Sequence, residues 1–149
     1  MTLYINGRFL TQKITGVQRF AIEIVKQLDK MNLDEKIVIL HPSGVIQDLN
    51  LKNIELKQIG KTTGHFWEQV ELATFMLKHK KDKLLSMCNI APILFPGYVV
   101  LHDIGFKTHS EHLNWKFKFL YRFITRMNIK RYKHIFTVSK FSKNEIMSV

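Results

Sequence analysis

Short apolar stretches that alternate with helical segments are the feature of this sequence that most restricts its fold. The predicted strands are Leu3–Asn6, Ile37–Leu40, Ile54–Ile59, Leu84–Met87, Tyr98–His102 and Ile135–Val138. Several of them are apolar throughout, which is typical of strands covered on both faces of a parallel sheet. The sequence therefore predicts an α/β fold: an open, Rossmann-like and mostly parallel sheet with helices on both faces.

Four helices are predicted between and after these strands. The first begins at a capping box formed by Thr15 and Gln18. Its apolar face comprises Val17, Phe20, Ala21, Ile24, Val25 and Leu28. The second runs from Phe66 to His79 with Phe66, Val70, Ala73 and Leu77 facing inward, the third from about Leu113 to Tyr132, and the last begins near Phe141.

Length and composition indicate one globular domain over residues 1–149, with 46% hydrophobic and 23% charged residues and no repeat or linker. The N-terminus does not have the pattern of a secretory signal. The longest nearly apolar run, Ile90–Leu101, is broken by prolines and too short to span a bilayer. Cys88 is the only cysteine, so no disulfide forms within the chain and we expect a cytoplasmic setting.

The positive charge is concentrated in the second half of the chain. Residues 1–75 carry nine basic and eight acidic side chains, whereas residues 76–149 carry fourteen and four. On the third predicted helix, basic residues recur every four positions among aromatic ones: Lys118, Arg122, Arg126 and Lys130. This pattern suits an anionic membrane surface. A solvated face is the structural alternative, and nucleic acid is disfavoured because no recognised binding motif occurs.

Polar residues follow most of the predicted strands. They are Asn6, Gly7, His41, Asn89, His102, Asp103 and Ser139. In a parallel sheet the carboxyl ends of the strands lie on one edge, where ligands bind. Each of these residues could be polar only because it meets water. As a group they favour a binding site at that edge.

Familiar motifs of α/β enzymes are absent from the sequence. No G-x-G-x-x-G or Walker A motif follows the first strand, no G-x-S-x-G elbow occurs, and the histidines and cysteine lack metal-ligand spacing. The loop that ends in Thr15-Gly16 precedes a helix, whose free backbone N–H groups could hold an anion. We therefore expect neither a metal ion nor a cofactor.

The segments "INGRFLTQKITGVQRFAIEIV", "GHFWEQVEL", "LLSMCNIAPIL", "VVLHDIGFKTHSE" and "HIFTVSKFSKNEI" together resemble the N-terminal domain of GT-B glycosyltransferases. More narrowly, they are similar to the retaining family-4 group that builds bacterial O-antigen and capsular polysaccharide, with mannosyl- and rhamnosyltransferases as typical members. The resemblance implies an acceptor-binding domain and a separate C-terminal domain for the nucleotide-sugar donor. That second domain is not in this sequence, so we expect the chain to be inactive alone.

The resemblance also implies roles for individual residues. Thr15, Gly16 and Val17 would face the cleft near the donor diphosphate. His102 would lie beside the transferring sugar, and Asp103 would orient it or accept a proton from an acceptor hydroxyl. The remaining candidates are Glu68 and Gln69 of the "WEQ" triplet, Ser139 of the last strand-to-helix turn and Asn89, which has no assigned role. Glu68 could also be favoured by the helix dipole, and Ser139 could be a helix N-cap.

The expected partners follow from the same resemblance. They are the donor-binding domain or subunit, a glycan or lipid-linked acceptor, and the anionic inner face of the cytoplasmic membrane, but no nucleic acid. Two alternatives remain open. One is a non-catalytic membrane-docking or binding subunit of a split transferase; the other is a basic α/β domain that binds nucleic acid.

Overall fold

The computed structural model describes residues 1–31, 33–102 and 131–147. The strands are β1 (Thr2–Asn6), β2 (Lys36–His41), β3 (Glu55–Gln58), β4 (Lys83–Ser86), β5 (Tyr98–Leu101) and β6 (His134–Thr137). The helices are α1 (Gly16–Lys30), α2 (Gly64–Phe66), α3 (Ala73–Lys78) and α4 (Lys140–Met147). A 3₁₀ turn (Gly7–Thr11) follows β1, and a π-helical segment (Trp67–Leu72) joins α2 to α3.

The described strands form a six-stranded sheet in the order β3-β2-β1-β4-β5-β6, and every neighbouring pair is parallel. The α/β class and the Rossmann-like open sheet are therefore confirmed, and each strand end lies within one residue of its prediction. The order of the strands reverses between the adjacent strands β1 and β4: β2 and β3 extend the sheet on one side of this point, and β5 and β6 extend it on the other. In open α/β sheets the crevice at such a point, beyond the carboxyl ends of the strands, is where ligands bind.

The central strands of the sheet are covered on both faces, and their side chains alternate between the two faces. Ile5 of β1 packs with Ala21 and Val25 of α1, whereas its neighbour Tyr4 packs with Trp67 and other residues of the π-helical segment and α3. The predicted face of α1 is correct for Phe20, Ala21, Val25 and Leu28, but Ile22 is buried where Ile24 was expected.

The predicted inward face of the second helix is wrong except at Ala73. Phe66, Val70 and Leu77 are 62%, 45% and 38% exposed, and the apolar residues buried together with Ala73 are Trp67, Leu72 and Met76. A π turn places residues about five positions apart on one face, so Trp67 and Leu72 both point to the sheet. Periodicity of an ideal α-helix does not anticipate this turn. Its consequence is that Glu68, next to Trp67, is also directed inward.

None of the described helices is both long and apolar enough to cross a membrane. The predicted helix from Leu113 to Tyr132 lies outside the described residues except for its last two positions. Its four basic residues, Lys118, Arg122, Arg126 and Lys130, are outside them as well.

Candidate functional site

Two strand ends at the centre of the sheet bring polar side chains together. Asn6 ends β1 and Ser86 ends the neighbouring β4, and the Asn6 amide Nδ2 donates to Ser86 Oγ at 3.3 Å. The same Nδ2 donates to Glu68 Oε1 at 2.7 Å, while Asn6 Oδ1 accepts the Arg8 N–H at 3.2 Å. Asn6 therefore links the sheet edge to the π-helical segment and to the turn after β1.

Gly7 brings the turn after β1 close to β2. A Cβ atom at Gly7 would lie 2.6 Å from both the Leu40 carbonyl oxygen and Ile39 Cγ2. Only glycine permits this approach, because side-chain atoms do not reach such distances without displacing the backbone. The turn then carries Arg8 into a position where it is only 7% exposed.

Arg8 and Glu68 form a buried ion pair at this position. Arg8 Nε lies 3.5 Å from Glu68 Oε1, and Arg8 Nη1 lies 3.2 Å from His65 Nδ1. Glu68 is 1% exposed; its second oxygen, Oε2, is 3.5 Å from His65 Nδ1 and forms no hydrogen bond within the described part of the chain. Two charges removed from water in this way depend on each other, so loss of one leaves the other uncompensated.

These contacts show that Glu68 and Gln69 of the "WEQ" triplet have structural roles. Glu68 orients Arg8, and Gln69 joins the π-helical segment to the loop after β4, donating to the Ala91 carbonyl at 3.2 Å and accepting the Ile93 N–H at 3.0 Å. With 1% of its surface exposed, Glu68 contacts Arg8 and His65 rather than solvent. Its direct contact with substrate stays a prediction.

His102 lies directly after β5 on the same edge. Its Nε2 is 2.9 Å from the Met87 carbonyl oxygen, and its ring meets the Phe20 ring edge-on at a centroid distance of 4.8 Å. Because a carbonyl only accepts, Nε2 carries the proton and Nδ1 of the neutral ring is an acceptor. Nδ1 forms no hydrogen bond with the residues that the structure describes. Asp103 lies outside them.

Asn89 holds the backbone beside His102. Its φ of 63° is in the left-handed region, which Asn tolerates better than most residues. In this conformation its Oδ1 accepts the His102 N–H at 2.7 Å and its own N–H donates to Val100 O at 3.2 Å. Asn89 is thus a positioning residue for His102, a role that sequence reasoning left unassigned.

The start of α1 shares this edge, since Phe20 of that helix contacts His102. The Thr15 N–H donates to Gln18 Oε1 at 3.1 Å, as the predicted capping box requires. Thr15 and Gly16 are exposed, and a Cβ at Gly16 would meet no atom within 4 Å. Room is therefore available for an anion beside Thr15, Gly16 and Val17, but their role near a donor diphosphate stays a prediction.

Ser139 caps the last helix. Its Oγ accepts the Ser142 N–H at 3.0 Å just before α4, and Ser142 Oγ donates to the His102 carbonyl at 2.8 Å. Of the two roles expected for Ser139, the structure therefore shows the helix N-cap. Its binding of substrate stays a prediction, and Ser142 is the residue that joins α4 to the His102 position.

The Cys88 thiol near the site is not activated for chemistry. Burial raises the pKa of the Cys88 thiol to about 12, with Arg8 lowering and Glu68 raising it by smaller amounts. Cys88 is therefore a thiol at neutral pH, not a nucleophile. Within residues 1–31, 33–102 and 131–147, no three His, Cys, Asp or Glu side chains are grouped as metal ligands would be.

Sequence reasoning missed Arg8, His65 and Ser86 as members of the site. Arg8 lay within a quoted motif but received no role, since nothing local reveals that a charged residue after a strand is buried. No protein-family model and no curated protein matches this sequence significantly. The resemblance to GT-B glycosyltransferases accordingly stays a prediction.

Proposed function

We propose that this chain is the acceptor-binding domain of a retaining GT-B glycosyltransferase of bacterial polysaccharide biosynthesis. Transfer then requires a donor-binding domain or subunit that holds the nucleotide sugar. The observation that carries the proposal is His102, which is half-buried at the carboxyl edge of an all-parallel sheet and has one ring nitrogen that bonds to none of the described residues. The motif resemblance supplies the reaction class, and the fold is compatible with it.

The chemistry assigned to His102 is hydrogen bonding to a sugar hydroxyl. Nε2 is occupied by Met87 O, and Asn89 and Ser142 hold the backbone on either side of the ring. An imidazole fixed in this way offers Nδ1 to a ligand without having to reorganise, which is the condition for effective stabilisation of a reacting group. Phe20 closes one side of the ring.

Sugar transfer by the chain combined with a donor-binding domain tests this role. We expect transfer of radiolabelled sugar to a lipid-linked saccharide to fall about 100-fold or more in His102→Ala, the scale of a lost catalytic hydrogen bond. His134→Ala is the matched control, because His134 is exposed at the opposite edge of the sheet, where β6 begins. Equal activity of wild type and His102→Ala would remove His102 from the site.

Ligand binding by the isolated chain tests the division of labour. We expect calorimetry to detect a lipid-linked or free acceptor saccharide more readily than nucleotide sugars, because the donor domain holds most donor contacts. Sugar transfer by the isolated chain would contradict its assignment as half of an enzyme. Binding of nucleotide sugar in preference to saccharide would contradict its assignment to the acceptor.

The uneven charge supports docking at the anionic inner face of the cytoplasmic membrane. Sedimentation with liposomes that contain anionic lipid measures this directly. We expect less pelleting when Lys118, Arg122, Arg126 and Lys130 are replaced by glutamine, and less for both proteins at high salt. Neutral liposomes are the control. Equal pelleting of the two proteins would refute the membrane contact, and salt-sensitive binding of RNA instead would favour the nucleic-acid alternative.

A further inference from the structure

A pocket opens at the carboxyl edge of the sheet, on the side away from His102. Its volume is about 330 Å³, and the residues lining it include Arg8, Thr11, Ser43, Val45, Thr63 and Gly64. They come from the turn after β1, the loop after β2 and the start of α2. Of the described residues that line this pocket none is acidic, and Arg8 is the charged one. We call it the Arg8 pocket.

Arg8 is held in the pocket wall rather than free in solvent. It is 7% exposed; its Nε faces Glu68 and its Nη1 faces His65. Nη2 forms no hydrogen bond with any residue that the structure describes. A guanidinium stays charged at all relevant pH values and carries five N–H donors. Arg8 is therefore anchored through Nε and Nη1, and the N–H groups of Nη2 together with the second N–H of Nη1 are the donors left for a ligand.

The rest of the lining suits an anion with several oxygens. Thr11 and Ser43 direct their hydroxyls to backbone carbonyls, at Arg8 O and Lys61 O, which fixes the walls. Gly44 and Gly64 adopt positive φ, and a Cβ at either would meet no atom within 4 Å. An oxyanion can thus approach the backbone closely there. Arginine recognises phosphate through paired N–H donors, which makes a phosphoryl group the ligand that best matches this wall.

We propose that the Arg8 pocket binds the phosphoryl group of an anionic ligand, with Arg8 as its principal contact and Glu68 as the residue that positions it. The pocket is separate from His102: β1 and β5 are two strand spacings apart, or about 10 Å along the edge. The binding itself does not depend on the transferase assignment, so either can fail without the other.

Titration with three phosphoryl probes and one uncharged control tests the proposal. The probes are inorganic phosphate, glucose 1-phosphate and a short-chain prenyl diphosphate; methyl glucoside is the control, and ionic strength is held constant. We expect calorimetry or amide-shift NMR to detect at least one phosphoryl probe with a Kd below about 10 mM. The probe with the lowest Kd distinguishes free phosphate, sugar phosphate and lipid diphosphate as sources. Binding of none of the three would overturn the proposal.

Two variants test whether the ligand binds in the Arg8 pocket, so that the test does not rest on one substitution that could itself unfold the protein. Val45 is 95% exposed at the pocket, so Val45→Asp adds a negative charge with little effect on folding, and we expect it to raise Kd at least about threefold. Val45→Asn is its neutral control. Arg8→Met combined with Glu68→Gln removes both charges together, avoids an unpaired buried carboxylate and should raise Kd at least about tenfold.

Arg19→Met is the matched control for the loss of an arginine, since Arg19 is exposed on α1 and does not line the pocket. We expect its Kd to stay within about twofold of wild type. Equal weakening by Arg19→Met and the double variant would mean nonspecific attraction to a basic protein and would overturn the proposal. Unchanged binding in both Val45→Asp and the double variant would also overturn it.

Discussion

The Arg8–Glu68 pair and His102 share one edge of the sheet but are held in place differently. At Arg8 the side chains hold one another. Arg8 contacts both Glu68 and His65, and the two members of the Arg8–Glu68 ion pair are almost fully buried. At His102 the backbone does the holding: Met87 O fixes the ring, and the Asn89 side chain fixes the chain. The first arrangement fails when one side chain is removed. The second allows the ring to be removed with little loss elsewhere.

This difference separates side chains that depend on each other for their stability from a side chain that does not. A buried pair carries a large desolvation cost that each partner offsets for the other. A ring anchored by one nitrogen keeps its second nitrogen for chemistry. We therefore expect substitutions of Arg8 or Glu68 to lower the free energy of unfolding in addition to any effect on phosphoryl binding, and substitutions at His102 to appear mainly in activity.

The largest expected effect is on stability at the buried pair. Arg8→Met should lower the free energy of unfolding by about 3–5 kcal/mol, because Glu68 keeps a buried charge without its partner. Urea denaturation followed by circular dichroism measures the change. Lys36→Met is the matched control: the Lys36–Glu55 ion pair spans exposed side chains, and its loss should cost about 0–1 kcal/mol.

A double-mutant cycle sharpens that result. If Arg8 and Glu68 depend on each other, Arg8→Met with Glu68→Gln should be clearly more stable than the sum of the single changes predicts. Additive effects would show that the two residues act independently and would remove the contrast with His102.

Gly7→Ala should have the next largest effect. A Cβ at Gly7 would meet Leu40 O and Ile39 at 2.6 Å, so the turn that carries Arg8 must move away from β2. We expect a loss of about 1–3 kcal/mol in the free energy of unfolding, the usual range for overpacking. Gly16→Ala is the control, because its Cβ would meet open space. Equal stabilities for the two variants would contradict the close approach.

Asn89 tests the backbone support of His102 at a smaller scale. Asn89→Gly keeps the left-handed conformation but removes the acceptor for the His102 N–H, and should cost about 1 kcal/mol. Asn89→Ala also strains the backbone and should cost about 1–2 kcal/mol more. Thermal unfolding distinguishes the two. The reverse order would show that φ at residue 89 is not constrained.

The smallest expected effect on stability is at His102 itself, where His102→Ala should cost about 1 kcal/mol, one hydrogen bond. Nitrogen-15 NMR of the wild-type ring supplies the sharper test, since the bond to Met87 O requires the proton on Nε2 of the neutral form. A neutral ring protonated at Nδ1 instead would refute this hydrogen bond and the availability of Nδ1.

Local signals in the sequence were enough for the sheet but not for helix faces. The ends of the central strands β1, β2, β4 and β5 were predicted within one residue because these largely buried parallel strands are apolar runs bounded by polar residues. The inward face of the helix after β3 was missed, since the π turn at Trp67–Leu72 changes the angular spacing of its residues. In that turn Trp67 is fully buried against the sheet, and its Nε1 donates to Ile59 O at 2.8 Å.

The residues of the candidate site were likewise predicted only in part. His102 and Asn89 were predicted to lie at the carboxyl edge of the sheet from their positions after strands, and they do lie there; binding at that edge stays a prediction. Arg8 was given no role, and Glu68 was placed near a helix start, where its burial was not foreseen. Their pairing joins residues sixty positions apart, and the Asn6–Glu68 hydrogen bond joins residues 62 apart. No periodicity or short motif encodes contacts at such separations.

The sequence by itself determined the α/β class, the strand positions and the capping box at Thr15, because each depends on residues close together in the chain. Only the tertiary structure decided that Glu68 and Arg8 are buried together, that Asn89 supports His102 and that an arginine lines a pocket free of acids among the described residues. Those arrangements depend on the parallel sheet bringing β1, β4 and β5 side by side. The burial that this creates then sets which charges must pair and which donors remain for a ligand.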